Sequence, residues 1–380
     1  SGNLASTTQA KGSGKLFEKI KPTVSISAVN SSGVAVSTGS TTKDGSLFLS
    51  FDISEPSKGF TSDDITVSGG ELTQFQSSSD VKFSATFTPS NYGATTVNIN
   101  ADVFTDTLGN TNKSSEVFSW YFDNTSPSIS SVSLAADNSS IAVSFSENVF
   151  NTASGSGALE ASDFALSVSG GTATLASATP TAIVQNGNSY TLSFSLTGTP
   201  DGSEVISVAP IANSVYDGSG NLASTTQAKG SGKLFDQTEP VVSAITFSDD
   251  NSYVDIEFSV GVFSNANGSG ALELSDFQLV FNQNNGTAIS ASLSSIRRTD
   301  GSSASSASAL AGGESSVRIF LSFNGVPSGV ESITLSPING SSIYDSAGNG
   351  AQVTQSISSA LFKDKTLPTL TFAPQNSTNE

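Results

Sequence analysis

The first 17 residues of this 380-residue chain, Ser1–Phe17 (SGNLASTTQAKGSGKLF), recur unchanged at Ser219–Phe235. Self-similarity at a long offset is the sequence signature of a repeat architecture, in which each repeat is one structural unit stacked on its neighbours. Such an architecture presents surface over a distance and builds no single deep pocket, so it favours reach and attachment over catalysis. The recurrence therefore predicts that the chain is an excerpt from a tandem array.

A recurring junction divides the chain into units. In each junction an aromatic residue ends one unit, a short polar link follows, and a proline opens the next strand, where its missing N–H is tolerated. The junctions are FEKIKP (Phe17–Pro22), FDNTSP (Phe122–Pro127), FDQTEP (Phe235–Pro240) and FKDKTLP (Phe362–Pro368). They predict a last strand of a preceding repeat at residues 1–17, complete domains at 18–124, 125–237 and 238–365, and a first strand of a following repeat at 366–380.

Within each unit the apolar residues alternate with polar ones. Ser46–Ser54 (SLFLSFDIS) places four apolar side chains on one face, and Ile141–Phe145 and Val254–Phe258 follow the same pattern. Strict alternation indicates half-buried antiparallel strands, and turn pairs such as Gly69-Gly70 and Asn186-Gly187 separate them. About seven short strands in roughly 105–125 residues are typical of a β-sandwich of immunoglobulin size. The predicted fold is all-β, with tandem sandwiches in an extended array.

The composition excludes several classes of function. The chain has no Cys, no His and no Met, which removes disulfides, thiolate sites, the usual general base and the commonest transition-metal ligand. Its formal charge is −18, from 33 acidic and 15 basic residues. That balance argues against nucleic acid and anionic membranes as partners, because both require clustered Lys or Arg, and it suits hard cations such as Ca²⁺. No apolar run approaches the roughly 18 residues of a membrane span.

The ordered set of motifs resembles the bacterial immunoglobulin-like repeats of large surface adhesins, S-layer-associated proteins and gliding-motility surface proteins. The pattern is a Pro-led first strand, a strand ending in Ser-Glu, a Ser-Asp step, and Asp-x-x-Gly-Asn before the last strand. In the second unit it reads Phe145-Ser146-Glu147, Ser162-Asp163-Phe164 and Asp217–Asn221. The third unit departs from it, because Val260 stands where the second unit has Glu147. The resemblance implies immunoglobulin-like sandwiches and a place on the bacterial cell surface.

Two interpretations of the repeated Asp-x-x-Gly-Asn motif stay open. In the first, it is a tight turn, in which Asp accepts hydrogen bonds from nearby backbone N–H groups and Gly adopts a positive φ. In the second, it contributes to a calcium site near each domain junction, with strand-end and linker acids as co-ligands. The candidate calcium ligands are Glu55, Asp106, Asn110, Asp123, Glu147, Asp217, Asn221, Asp236, Asp345 and Asn349. Calcium is the only cofactor that the sequence suggests.

No residues in the sequence point to an enzyme. The adjacent pairs Asp63-Asp64 and Asp249-Asp250 are typical of solvated turns, and no His is present to activate a Ser or Thr. Tyr92, Trp120, Tyr121 and Phe122 are compatible with a sugar-stacking patch, although their alternation favours packing in the core or at a junction.

The predicted function is a structural one. We expect a stalk or filament segment of a large extracellular bacterial surface adhesin, which presents a distal adhesive or motility function. Its partners would be neighbouring repeats of the same protein, including self-assembly into a filament. The alternative is an immunoglobulin-like module that binds a cell-surface carbohydrate or protein receptor through loops at the sandwich ends. We expect no nucleic acid partner and no direct membrane insertion.

Overall fold

A computed structural model describes residues 19–355 and 360–371 of the chain. Within these residues the fold is almost entirely β, with three short 3₁₀ helices at Ser62–Asp64, Ala161–Asp163 and Leu274–Asp276. No helix in this part of the chain has the length and apolar character needed to cross a membrane. The predicted strand at residues 1–17 lies outside the described residues.

The first sandwich packs two sheets in the strand orders β2-β1-β4-β8-β7 and β3-β11-β9-β6, with a small β10-β5 ribbon. Its strands are β1 (Val24–Val29), β2 (Ala35–Val36), β3 (Ser40–Thr42), β4 (Leu47–Ile53), β5 (Ser57–Lys58), β6 (Ile65–Ser68), β7 (Gly70–Ser79), β8 (Lys82–Pro89), β9 (Gly93–Ile99), β10 (Thr105–Asp106) and β11 (Phe118–Phe122).

The second sandwich has the orders β12-β13-β17-β16 and β14-β19-β20, with a β15-β18 ribbon. Its strands are β12 (Ile129–Leu134), β13 (Ser140–Phe145), β14 (Phe164–Ser169), β15 (Thr174–Leu175), β16 (Ala182–Asn186), β17 (Ser189–Ser193), β18 (Leu196–Thr197), β19 (Val205–Pro210) and β20 (Ser231–Lys233).

The third sandwich repeats the topology of the second, with the orders β21-β22-β25-β24 and β23-β26-β27. Its strands are β21 (Val242–Phe247), β22 (Tyr253–Val262), β23 (Phe277–Asn282), β24 (Ser290–Arg297), β25 (Glu314–Asn324), β26 (Ser332–Pro337) and β27 (Ala360–Leu361).

The alternating sequence pattern corresponds directly to burial, which confirms the predicted all-β fold. In β4 the side chains of Leu47, Leu49, Phe51 and Ile53 are all buried, and the residues between them face outward. The buried apolar residues form three separate clusters, each drawn from one unit of the chain. Trp120 belongs to the first cluster, where its ring meets Phe87 edge to face with centroids 4.7 Å apart. Each unit therefore closes its own core.

The structure differs from the expected antiparallel pairing and from the expected terminal strand, and it shows that one junction aromatic is exposed. β3 pairs with β11 in parallel, because the chain crosses from one sheet to the other after β2 and then runs beside the last strand in the same direction. Residues 366–371 form no strand; residues 372–380 lie outside the described residues. Phe235 is 47 % exposed, and Leu234 occupies the buried position one residue earlier.

The third unit carries an insertion, Ser302–Gly313, between β24 and β25. The three arginines of the chain contact the insertion or the residues that flank it. Arg318 pairs with Asp255 through both carboxylate oxygens and donates to the carbonyl of Gly301, and Arg297 donates to the carbonyl of Ala304. Arg298 forms an ion pair with Glu314, with nitrogen and oxygen 2.6 Å apart. The insertion is therefore a hydrogen-bonded hairpin loop.

A fully buried glutamate closes one end of the second and the third sandwich. The Glu204 carboxylate accepts the backbone N–H groups of Thr172 and Ala173, each at 3.0 Å, and that of Asp201 at 3.1 Å. Glu331 accepts the N–H groups of Ala288 and Ser328, both at 2.8 Å. Although burial opposes ionisation, these backbone hydrogen bonds hold the pKa of Glu331 below its usual value. Each carboxylate thus accepts hydrogen bonds from loop N–H groups that are not paired with a neighbouring strand.

We predict that Glu204→Ala destabilises the second sandwich by roughly 2–4 kcal/mol, because it leaves buried N–H groups without an acceptor. Hydrogen exchange at the amides of Thr172 and Ala173, with urea unfolding of the chain, measures the effect. Ser167→Ala, at an exposed β14 position, is the control and should change stability by less than about 0.5 kcal/mol. Equal effects of the two substitutions would contradict the bracing role of Glu204.

Candidate metal centre between the first two sandwiches

The Asp-x-x-Gly-Asn motif forms the same turn in all three units. In each, the Asp Oδ1 accepts the backbone N–H groups of the residues two and four positions later, and Oδ2 accepts the Asn side-chain amide. The nine hydrogen bonds are 2.7–2.9 Å long and involve Asp106 with Asn110, Asp217 with Asn221, and Asp345 with Asn349. The glycines have φ near +90°, a region that favours a residue without Cβ. The motif is therefore a turn in every unit.

The turn of the second sandwich also contacts the end of the first. Asn221 Nδ2 donates to the backbone carbonyl of Asp123 at 2.9 Å, and Ser219 Oγ donates to the Asp123 carboxylate at 3.2 Å. From the other side, Lys43 Nζ donates to the carbonyl of Gly220. The Asn amide thus has two tasks, since one hydrogen closes its own turn and the other holds the preceding sandwich.

This contact brings three carboxylates together. One oxygen each of Asp123, Glu147 and Asp217 lies within 4.8 Å of the others, and they form the one group of three potential metal ligands among the described residues. Asp217 is fully buried and Asp123 is 9 % exposed. Asp123 and Glu147 line an open groove of about 350 Å³, with Thr41 and Phe150 on its walls. We call this group the junction cluster.

The electrostatics of the junction cluster are unfavourable without a counterion. Burial first, and then the charges of Asp217 and Asp123, raise the pKa of Glu147 to about 7 from its ordinary 4.5. Two oxygens bound to the same Ca²⁺ at 2.3–2.6 Å are at most about 5 Å apart, and the spacing of the cluster fits that limit. A hard cation would replace the proton and neutralise the repulsion. The arrangement is therefore chemically suited to bind a divalent ion.

Two other sets of predicted ligands lie in equivalent positions without forming such a group. Glu55, Asp106 and Asn110 belong to the first sandwich, and the linker residue that would face them lies outside the described residues. Asp236, Asp345 and Asn349 meet at the second junction, where Asn349 Nδ2 donates to the Asp236 carbonyl at 3.3 Å. Val260 replaces the glutamate there and is 41 % exposed. The second junction thus lacks the third carboxylate.

An aromatic pair stands beside the junction cluster. Tyr92 and Tyr121 are 54 % and 38 % exposed, and their rings meet edge to face with centroids 5.3 Å apart. A hydrogen bond with Tyr121 is the main cause that raises the pKa of Tyr92 to about 12, and the charges of Asp123 and Glu147 add to it. Of the four aromatics compatible with a sugar-stacking patch, Trp120 and Phe122 are buried, whereas Tyr92 and Tyr121 face solvent.

Lys43 is a junction residue that the sequence did not indicate, because no motif surrounds it.

Comparison with known proteins now places the first unit. Residues 18–120 match the family model of a bacterial Ig-like domain. The first sandwich is a bacterial Ig-like domain. No sequence among the curated proteins matches the chain.

Three solved structures of bacterial proteins share low similarity with the chain. The Escherichia coli adhesin FdeC is 11% identical, with 88% of this chain and 95% of that chain covered and a TM-score of 0.36. Invasin, a bacterial integrin-binding protein, is 12% identical, with 83% and 56% covered and a TM-score of 0.31. InvD of Yersinia pseudotuberculosis is 13% identical, with 91% and 98% covered and a TM-score of 0.32.

We predict that stability depends on pH through Glu147 when divalent ions are removed by a chelator. The folded pKa of about 7 lies above the ordinary 4.5, so between these values the folded chain keeps a proton that the unfolded chain has released. Stability therefore falls as the pH rises from about 4.5 to 7. Melting temperatures at pH 5 and pH 8 measure this fall, which should be smaller in Glu147→Gln. An identical pH dependence in both proteins would show that Glu147 does not titrate in this range.

Proposed function

We propose that the chain is a structural, non-enzymatic spacer segment of a large extracellular bacterial surface adhesin. This proposal rests on one hydrogen bond that recurs at both described junctions. In it, the side-chain amide of the asparagine in the Asp-x-x-Gly-Asn turn donates to the backbone carbonyl of the linker aspartate that follows the preceding sandwich. Each sandwich has its own core, so one contact between neighbours suffices to extend the array by a further unit. The match of the first sandwich to a bacterial Ig-like domain supports a role at the cell surface.

The chemistry of the surface supports the same role. With a charge of −18, neighbouring units and neighbouring chains repel one another, which favours an extended and dispersed array. The chain contains no His to activate a nucleophile and no Cys to act as one. The one group of three carboxylates among the described residues, the junction cluster, lies between two domains. A distal adhesive or motility element would be carried outward by such a spacer.

Electron microscopy of the full chain tests the spacer proposal. Three beads in a row are expected, each roughly 30–40 Å long from the rise of its strands. One compact particle without separate beads would contradict the proposal, as would turnover of any substrate by the purified chain.

We further propose that the junction cluster binds Ca²⁺ and fixes the angle between the first two sandwiches. Asp123 comes from the end of the first sandwich, whereas Glu147 and Asp217 come from the second, so an ion bound by all three would link the two units directly. Ca²⁺ accepts six to eight oxygen ligands, and the remaining positions face the open groove, where water can fill them. The ion thus acts as a lock at a junction and takes no part in a reaction.

Exchanging one residue between the two junctions tests the calcium proposal. The native chain should bind one Ca²⁺ per molecule by calorimetry, and Glu147→Val, which copies the second junction, should abolish that binding. Val260→Glu, which places a third carboxylate near Asp236 and Asp345, should add a second site. Absence of binding by the native chain at millimolar Ca²⁺, or unchanged binding after Glu147→Val, would refute the assignment.

The exposed pair of tyrosines favours a second candidate function, the recognition of a cell-surface glycan at the sandwich end. An exposed tyrosine offers an apolar ring face on which a sugar ring can stack, and its hydroxyl can form hydrogen bonds at the solvent-exposed edge. Screening against a glycan array measures this. Selective binding that Tyr92→Ala and Tyr121→Ala abolish would support the binding-module function, whereas Phe48→Ala, at an exposed aromatic elsewhere on the first sandwich, serves as the control. Absence of selective binding would leave the spacer role alone.

A further inference from the structure

The two junctions share one hydrogen bond between sandwiches and differ in the other hydrogen bonds that cross from one sandwich to the next among the described residues. At both, the turn asparagine donates to the carbonyl of the linker aspartate, at 2.9 Å in the first junction and 3.3 Å in the second. At the first, Ser219 Oγ also donates to the Asp123 carboxylate. The equivalent residue of the third sandwich is Ala347, which has no hydroxyl to donate.

The remaining contacts of the first junction have no counterpart in the described part of the second. Lys43 extends from the first sandwich to the Gly220 carbonyl of the second, and the structure places no lysine or arginine of the second sandwich against the Gly348 region of the third. Among the hydrogen bonds of the described residues, a single neutral one therefore joins the second and third sandwiches.

The backbone of the second linker is anchored on both sides of one residue. The N–H of Gln237 and the hydroxyl of Thr238 both donate to the Pro200 carbonyl, which ties them to the second sandwich. The Pro240 carbonyl accepts from the side-chain amide of Gln355 in the third sandwich. Glu239 alone lies between these anchors. Movement of one sandwich relative to the other must therefore be absorbed by dihedral angles at and beside Glu239.

We propose that the second junction is a hinge centred on Glu239, and that the array bends there in preference to the first junction. Relative motion of neighbouring domains is the default unless a large interface opposes it, and hinges are a few linker residues that absorb the change in φ and ψ. Proline at 240 restricts Glu239 to extended conformations, so the hinge bends between related extended states and does not collapse. This inference goes beyond the spacer role and does not require an ion at the first junction.

The hinge has a physical consequence for a pulled or tilted array. A spacer that is rigid throughout transmits every lateral displacement of its tip to its base, whereas one compliant junction allows the distal part to reorient. The first and second sandwiches would then move as one body and the third as another. The hydrogen bonds of Ser219 and Lys43, which the second junction lacks, determine which junction bends.

Pulsed electron paramagnetic resonance tests the hinge, and the native chain suits it because it contains no Cys. One exposed serine per sandwich is replaced for spin labelling: Ser84→Cys with Ser167→Cys spans the first junction, and Ser167→Cys with Ser292→Cys spans the second. With a chelator present, the distance distribution across the second junction should be broader than that across the first. Equal widths, or a broader first junction, would overturn the proposal.

Exchanged residues provide the matched controls. Ser219→Ala with Lys43→Gln should broaden the first distribution, and each lost contact should raise the ratio of displaced to docked arrangements about fivefold. Ala347→Ser should narrow the second distribution, and no change in either variant would refute the explanation by contacts. Adding Ca²⁺ separates this inference from the calcium proposal. If Ca²⁺ leaves the distance distribution across the first junction unchanged, the calcium proposal is refuted. The hinge proposal is tested separately, by comparing the two distributions in the presence of chelator.

Discussion

The second hydrogen of one asparagine amide connects folding within a unit to assembly between units. In Asp217–Asn221 the first hydrogen is used by the turn itself, through Asp217 Oδ2, and the second reaches the carbonyl of Asp123 in the preceding sandwich. Because the turn holds the amide through its first hydrogen, the fold of the later unit orients the amide for its contact with the preceding sandwich. Replacing Asn221 would remove hydrogen bonds of both the turn and the junction.

The charges at the first junction follow from the same geometry. The turn buries Asp217 completely, and the contact with Asp123 then brings a second carboxylate beside it. Asp217 receives three hydrogen bonds from its own turn, so its charge is partly compensated, but Glu147 has only its neighbours' negative charges to face. Burial first, and then these two charges, raise the pKa of Glu147. The turn itself does not require Glu147. The third unit has Val260 at that position and forms the same turn.

The sequence was sufficient to predict strands and cores, and less so to predict which acids meet. Alternation in Ser46–Ser54 determines which side chains are buried, because a period of two leaves no other face for them. The choice of Asp123, Glu147 and Asp217 from ten candidate ligands depends on the angle between two sandwiches, which no local pattern encodes. The burial of Leu234 in place of Phe235 reflects a shift of one residue that an aromatic-to-proline spacing cannot detect. Lys43 contacts Gly220 across 177 positions of sequence, without any motif around it.

The segment that recurs without change also contains the residues that hold the junction. Ser219, Gly220 and Asn221 open the repeated stretch, and all three contact the first sandwich. The fold does not demand identity there, since the third unit closes the same turn with Ala347 in place of the serine and forms its own core. The hydroxyl of Ser219 is therefore not needed for the turn, and its described hydrogen bond is to Asp123 at the end of the first sandwich. Differences between units at such positions therefore adjust how firmly two sandwiches are held while each sandwich stays folded, and this separation allows one repeated fold to provide both a stiff joint and a compliant one.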